Sequence, residues 1–359
     1  MSEHLAGFFT PWILCALILA LHLVLPARNV AGYVTDPETG EPLRYRLNGL
    51  LVLAVTVGLW AALSAGGVIP WDLLWRWRWE GLAGACTLGL AFTLLIVLRA
   101  PPTGKPLLAE LYLGRLDNPQ GLGGRVDAKM FLYLFGAVLL ELNLLSFAAH
   151  HHLSFATPSP GVTLHTALFT WFVLDYLVFE RVHLYTYDLF AERVGFKLGW
   201  GCLVFYPYFY AVGLWSTADL SGAPPTWLLV VAALVFFVGW SFARGANLQK
   251  FTFKVAPDRV FLGLFRPETV SDGDRALLCS GFWAISRHVN YLGEILMATG
   301  LVLALGHPLE PWPWLYPLYY LALLLPRERA DDRRCAAKYG PLWDAYRARV
   351  PRRIVPGLY

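Results

Sequence analysis

Charge is scarce in this chain. Only 15% of its 359 residues are Asp, Glu, Lys or Arg, against about a quarter in an ordinary soluble domain. That scarcity excludes the string of solvated domains that the length alone would allow. The formal net charge is only +4, and the Lys and Arg stand between apolar blocks rather than in one basic patch. A nucleic-acid surface is thereby excluded, while membrane topology and an anionic cofactor remain as reasons for basic residues. Cysteine is sparse as well. Cys15, Cys86, Cys202, Cys279 and Cys335 form no CxxC and no Cys/His pair at zinc spacing, so neither a disulfide framework nor a metal site follows. Gly121, Gly123 and Gly124 do not make GxGxxG after a strand, which removes a Rossmann reading. There is no tandem repeat and no low-complexity run.

What is plentiful is apolar sequence: 57% of residues are hydrophobic and 15% aromatic. They fall in blocks long enough to cross a bilayer, which takes about 20 residues per helix. The spans are 8–26, 47–65, 83–99, 130–149, 163–180, 196–215, 225–243, 281–305 and 312–326. The chain therefore reads as an all-α polytopic integral membrane protein with about 9–10 transmembrane helices. The first block has no basic leader and no small-residue cleavage site, so it reads as a retained helix. Residues 1–240 form a transmembrane region and residues 241–359 a C-terminal membrane and cytoplasmic region.

Loop charge sets the orientation. Arg28, Arg44 and Arg46 lie in the first loop, Lys105, Arg115, Arg125 and Lys129 in the third, and Arg181, Arg193 and Lys197 in the fifth. Arg244, Lys250, Lys254, Arg259, Arg266 and Arg275 lie in the seventh, and the tail is basic too. The fourth, sixth and eighth loops have no Lys or Arg. The C-terminus is expected in the cytoplasm. Arg76 and Arg78 break the alternation, within the tryptophan-rich WDLLWRWRWEG. That stretch reads as an interfacial segment with snorkelling arginines.

Some ionisable residues stand where a bilayer would make them costly. Glu141 and Asp175 are central in apolar blocks, Glu180 is near the end of one, and Glu294 follows Asn290 by one helical turn. An acid at a helix centre costs about 2.5–3.5 kcal/mol on insertion scales, so it faces the bundle interior. There it either holds a proton in a polar pocket or makes an interhelical hydrogen bond. The run His150, His151, His152 reads as a solvated loop end, since adjacent histidines on a helix do not share a face. His22 and His165 read as satisfied bundle histidines.

Two polar clusters remain. Asn247, Gln249, Lys250 and Lys254 follow a spanning block, and a second cluster runs from Ser280 to Tyr359. Within it Arg327, Asp331, Cys335 and Tyr339 recur every four residues and form one helical stripe. A guanidinium for phosphate, a carboxylate for a ribose hydroxyl, a small residue and an aromatic ring suit a nucleotide. The same stripe also suits an amphipathic tail lying on anionic lipid.

The residues in these clusters carry a resemblance. SGFW, then RHVNYLGE, then Arg327-x3-Asp331-x3-Cys335-x2-Lys338-Tyr339-Gly340, and finally VPRRIVPGLY, are similar to the C-terminal signature of the sterol reductases. That family includes Δ14-, Δ7- and Δ24(28)-sterol reductases and the membrane domain of the lamin B receptor. Upstream, Asn247-Leu248-Gln249-Lys250 resembles the family's NxQK segment. Gly114-Arg115, Asn118-Pro119 and Asp127-x-Lys129 resemble its GRxxNP…DxK segment. Asp175, Glu180, Thr186-Tyr187-Asp188, Gly195-Phe196 and Gly199-Trp200-Gly201 follow the order of its central motif. The likeness covers residues 45–359. Three positions depart from it: no Arg follows Asp127-x-Lys129, Lys254 stands where Arg is usual, and Phe172 replaces a tyrosine.

The resemblance implies NADPH as hydride donor and a sterol entering from the bilayer as acceptor. It implies cofactor contacts from Asn247, Lys250, Lys254, Trp283, Arg287, His288, Asn290, Tyr291, Arg327, Asp331, Cys335 and Tyr339. It also implies a proton donor among Asp175, Glu180 and Tyr187, with Asp175 first. The double bond reduced is left between Δ14 and Δ7, with Δ24(28) further off. The site would lie in the endoplasmic reticulum of a eukaryote or the inner membrane of a bacterium. Two other classes fit part of the pattern: a membrane S-adenosylmethionine-dependent methyltransferase of the isoprenylcysteine carboxyl type, and a non-catalytic sterol-binding protein.

Overall fold

Long apolar runs become long helices, and the connections between them carry most of the hydrogen-bonding detail. The computed structural model describes residues 3–36 and 39–359. The chain divides into two compact units, Met1–Ala223 and Pro224–Tyr359. The expected division after residue 240 falls inside a continuous helix, and the observed one precedes it.

In the first unit α1 spans Glu3–Val24. At 1.5 Å per residue it is about 33 Å long, enough to cross the hydrocarbon layer. Its last carbonyls need partners, and three side chains supply them. Arg46 donates to the His22 and Leu25 carbonyls at 2.8 and 2.5 Å, Asn48 to His22 at 3.1 Å, and Arg125 to Leu23 at 2.8 Å. Arg46 and Asn48 reach them from the end of a hairpin, β1 (Arg28–Thr35) and β2 (Pro42–Leu47). The hairpin is docked by Tyr45, which is buried with Leu47, Met130, Leu184 and Leu189. His22 is buried and hydrogen-bonded to Asn48 at 2.7 Å.

Next come α2 (Gly49–Ala65), α3 (Leu73–Arg76) and α4 (Arg78–Arg99). A Cβ at Gly84 would collide with the Phe8 carbonyl, so α1 and α4 meet backbone to backbone. In the tryptophan-rich stretch Arg78 lies over the Trp75 ring, 4.0 Å from its centroid, and Arg76 pairs with Asp72 at 2.8 Å. After α5 (Leu107–Leu113), Arg115 caps α4 by donating to the Val97 and Ala100 carbonyls. Arg115 also pairs with buried Glu110 at 2.7 Å. Hydrogen bonds from Thr103, followed by those from Arg115, hold the Glu110 carboxyl down at about 2.

A short hairpin, β3 (Gln120–Gly121) and β4 (Val126–Asp127), leads into α6 (Ala128–Ser154), whose N-cap is Asp127. Lys129 is fully buried, and its ammonium donates to the Asp188 and Leu189 carbonyls at 3.2 and 2.9 Å. α7 spans Pro160–Val178, followed by α8 (Glu180–His183), α9 (Tyr187–Ala191) and α10 (Phe196–Trp200). A π-helix over Gly201–Phe209 and α11 (Val212–Thr217) complete the unit.

The second unit begins with α12 (Thr226–Val255). Its 30 residues exceed what the hydrocarbon layer needs. A hairpin, β5 (Thr269–Ser271) and β6 (Ala276–Leu278), and a 3-10 turn at Gly281–Ala284 precede α13 (Val289–Ala304). Then follow α14 (Pro311–Tyr339) and α15 (Pro341–Arg349). α12 and α13 meet at a seam of glycines. A Cβ at Gly239 would lie 2.6 Å from the Gly293 carbonyl, and one at Gly300 would lie 2.7 Å from the Phe236 amide.

Several expectations change. The span expected over 196–215 is three pieces, because Pro207 has no N–H and the wide turn around it frees a carbonyl that Asn143 takes at 2.9 Å. The span over 163–180 stops at Val178, and that over 281–305 starts at Val289, because Gly281 takes φ +60 in a tight turn. The helix expected over 312–326 runs on to Tyr339. The three histidines are not a solvated loop end. α6 continues through them, and His151 is fully buried between the Ala218 carbonyl and the Ser159 amide. His150 stacks on Trp75 and bonds Asp219 at 2.8 Å. Among the described residues, five helices are long and apolar enough to span a bilayer, with shorter apolar helices beside them. The chain is an all-α polytopic integral membrane protein whose connections form short hairpins.

Candidate functional site

The last turns of α12 are the base of the site. Gln249 is buried and clamps the turn that opens the SGFW segment: its Nε2 donates to the Ser280 carbonyl and its Oε1 accepts from the Phe282 amide, both at 3.0 Å. A Cβ at Gly281 would run into that amide group, so only glycine fits. Trp283 is buried with Ala246, Leu278 and Val289, and donates its indole N–H to the Ala246 carbonyl at 3.0 Å. With its edge committed, Trp283 offers its ring face, and the Lys250 ammonium lies 5.5 Å from the ring centroid.

Lys250 also lies within electrostatic reach of Asp331, Cys335, Arg334 and Lys338. The helical stripe predicted from spacing is thus real, and α12 and α14 of the second unit bring Lys250 to it. All four stripe residues are half-buried. Burial raises the Asp331 carboxyl from the usual range, and Lys250 partly offsets this. Burial, reinforced by Asp331, pushes the Cys335 thiol up to about 12, so it is a small neutral group. Tyr339 packs near Trp343 and has the Arg275 guanidinium 5.7 Å from its ring centroid.

His288 and Asn290 begin α13. The His288 ring stacks on Tyr291 with centroids 4.8 Å apart. Burial, then Lys250, Arg287 and Arg353, push its pKa down to about 3, so it is neutral across the physiological range. Its Nε2 and the Asn290 Oδ1 are buried and have no hydrogen-bond partner among the described residues. Buried polar atoms are nearly always paired. The start of α13, with His288 within electrostatic reach of Lys250, thus offers two unmet polar atoms to a ligand.

Arg287 also holds the tail. It donates to the Val350 and Pro351 carbonyls at 2.9 and 3.0 Å, and its backbone N–H to Arg352. The neighbouring face of α14 completes this latch. Glu328, fully buried, accepts from Arg353 and from the Tyr359 hydroxyl, both at 3.3 Å. Asp332 accepts from the Trp343 indole at 3.2 Å. Arg275, Arg334, Lys338, Glu328 and Arg353 were not singled out from sequence. A second pair one helical turn apart, Glu328 and Asp332, next to Arg327 and Asp331, is the signal that could have found Glu328.

The three proton-donor candidates lie in the first unit. Asp175 is half-buried in the last turn of α7. Glu180 is buried and accepts from the Gly49 amide at 3.1 Å, with no room for a side chain at position 49. Tyr187 opens α9 edge-on to Phe190. Because α7 ends between Asp175 and Glu180, their separation is not that of two positions on one helix. Tyr176 stands beside them and was not singled out: its ring stacks on His183, centroids 3.8 Å apart.

The profile of the ergosterol biosynthesis ERG4/ERG24 family matches residues 3–359. The chain belongs to that family. Among sterol reductases of the family, it is 33% identical to the Delta(14)-sterol reductase of Arabidopsis thaliana, over 94% of this chain and 91% of that one. It is 30% identical to the Delta(14)-sterol reductase of Methylotuvimicrobium alcaliphilum, over 99% and 83%. It is 34% identical to the Delta(14)-sterol reductase TM7SF2 of Mus musculus, over 99% and 87%. Membership of the sterol reductase family sets the methyltransferase reading aside.

Proposed function

We propose that this protein reduces the Δ14 double bond of a sterol, with hydride from NADPH. The observation that carries the reading is the pair of orphaned polar atoms at the start of α13, His288 Nε2 and Asn290 Oδ1, with His288 within electrostatic reach of Lys250 and Lys250 within reach of Asp331. Three relatives named Delta(14)-sterol reductase supply the choice of Δ14 over Δ7 or Δ24(28). Lys250, Lys254 and Arg327 would hold the phosphates, including the one that distinguishes NADPH from NADH. Asp331 would accept a ribose hydroxyl, Cys335 would leave room, and Asn247, Trp283, Tyr291 and Tyr339 would wall the cofactor in. Arg287 would act through the latch it holds. When bound, the reduced nicotinamide supplies the hydride.

The chain itself must supply a proton, because an isolated alkene is not electrophilic. A dry site protects the cation that protonation creates and strengthens the field of nearby carboxylates. Asp175 is the first donor by this reading, with Glu180 and Tyr187 behind it, since one Glu180 oxygen already serves the Gly49 amide. The basic odd loops support a cytoplasmic C-terminus, and protease access to the tail in sealed vesicles decides that orientation. In a eukaryotic cell the membrane would be that of the endoplasmic reticulum.

The test is turnover of a Δ8,14 sterol by purified protein with NADPH or NADH, read by mass spectrometry. Reduction with NADPH is expected. Asp175→Asn keeps shape and should lower turnover about 10²–10⁴-fold while NADPH binding persists. Near-normal turnover in a folded Asp175→Asn protein moves the role to Tyr187. No turnover by wild type on any sterol leaves a non-catalytic sterol-binding protein.

A further inference from the structure

The segment between α12 and β5 carries an exposed apolar tip. Phe261 and Phe265 exchange backbone hydrogen bonds, both at 2.9 Å, and the Leu264 N–H closes the turn onto the Phe261 carbonyl at 3.1 Å. The two central residues, Leu262 and Gly263, take φ +53 and +69. Turns with two positive φ values favour Asn-Gly, because most side chains are strained there. Here the first central position holds a leucine. It is 66% exposed, with Leu264 77% exposed beside it and Val260 exposed before it. The backbone thus carries strain to hold an apolar side chain outside the protein.

The depth of this tip follows from its base. The Phe261 and Phe265 rings pack on Phe282, with centroids 6.4 and 5.7 Å from its own. Phe282 in turn lies on α12 at Gly245, where a Cβ would collide with its ring. α12 has no charged residue from Thr226 to Ala243, a stretch of about 27 Å at the helical rise. That nearly matches a hydrocarbon layer of about 30 Å. Arg244 comes next, so Gly245 stands where α12 leaves the hydrocarbon. The tip is two residues from its base, about 7 Å of chain at most. It therefore stands at the boundary of one leaflet, beside the spanning helix.

Charge and size say what covers it. Arg259 and Arg266 flank the turn and are exposed, and Asp258 is the one acid from 258 to 266. Apolar side chains set between cations fit acyl chains lying under lipid phosphates. A protein partner fits poorly, because three aliphatic side chains offer far less than the roughly 1,000 Å² of a specific interface. We propose that the Leu262–Leu264 tip dips into the leaflet beside α12, its leucines among acyl chains and Arg259 and Arg266 on lipid phosphates. The contact fastens the far end of the segment that leads into the SGFW turn. It does not rest on the reductase reading.

The experiment uses the full chain in nanodiscs of phosphatidylcholine and phosphatidylglycerol, with a phosphatidylcholine that carries a diazirine near the top of one acyl chain. Label is expected in the peptide covering residues 257–267 and not in the exposed β5–β6 turn at 272–275. Leu262→Asn with Leu264→Ser should lower label in that peptide about tenfold or more, since burial of two leucines supplies at least that factor. Asparagine is at home in such a turn, so lost label is not a lost turn. Arg259→Gln with Arg266→Gln should lower it about fivefold or more, the factor that one interfacial cation supplies. No label in 257–267 while the spanning helices are labelled, as a protein partner over the tip would give, overturns the proposal. So does label unchanged in either double variant.

Discussion

Two faces of α14 lie one residue apart in register and carry similar chemistry. Arg327 and Asp331 stand on one, Glu328 and Asp332 on the next. Glu328 is fully buried and committed to Arg353 and Tyr359, and Asp332 to Trp343. Asp331 instead stands half-buried within electrostatic reach of Lys250, whose charge also reaches His288. One face is consumed in holding the tail against the helix. The other turns Asp331 and Cys335 toward Lys250. Residue type does not separate the two roles; the partner each side chain meets does.

This contrast can be broken at its strongest point first. Glu328→Ala removes a buried acceptor and leaves Arg353 without its carboxylate. It should cost about 3 kcal/mol of stability, read as an earlier thermal unfolding in detergent. Asp331→Asn should leave that transition almost in place. Equal losses in the two variants would mean that both faces are structural.

A second, smaller effect lies in pH. His288 touches both roles, since its backbone N–H bonds Arg353 while its ring keeps an unpaired nitrogen. Its folded pKa is pushed below the ordinary value of about 6.5, to about 3. The unfolded chain therefore binds a proton that the folded chain refuses, and stability falls as pH drops through 6.5 toward 3. Between pH 7 and 5 the loss from this group should be about 2 kcal/mol. His288→Phe should flatten that part of the stability curve; an unchanged slope would remove His288 as its source.

The smallest expected effect sharpens the ligand face. Arg327→Ala and Lys250→Ala should each weaken NADPH binding about tenfold or more, as loss of a charge-assisted hydrogen bond implies, with unfolding unaltered. NADH binding should change less in Arg327→Ala. Calorimetric titration of cofactor-free protein gives both numbers, and unchanged affinity in both variants would remove the stripe from the cofactor site.

Much of this was legible in the residues. Apolar block length placed α2 and α7 to within three residues and α1, α4 and α6 to within five, because crossing a bilayer fixes helix length directly, but it stopped α12 twelve residues short of Val255, where the helix turns polar. The four-residue spacing placed Arg327, Asp331, Cys335 and Tyr339 on one face. Long-range pairing was not legible. Nothing near His151 shows that Ala218 and Ser159 will bury it, and nothing near Arg287 shows that the tail will occupy its guanidinium. The break in the helix at Pro207 was readable in principle, but its rescue by Asn143 depends on a contact 64 residues away. The expectation that Arg287 contacts the cofactor came from a motif, and a motif does not say that the same guanidinium also binds the tail.

The glycine seam between α12 and α13 has a consequence for how the protein can vary. Because Gly239, Gly293 and Gly300 leave no slack between the two helices, the last turns of α12 and the first turn of α13 behave as a fixed pair of posts. Gln249 and Trp283 tie the SGFW turn to the same posts. The chain that leaves at Val255 and returns at Leu278 is therefore slung between anchored ends, with Leu262 and Leu264 exposed at its tip. Only that tip is free to change in length, because Glu268 pairs with Arg349 and Arg275 donates to the Lys338 carbonyl on the way back.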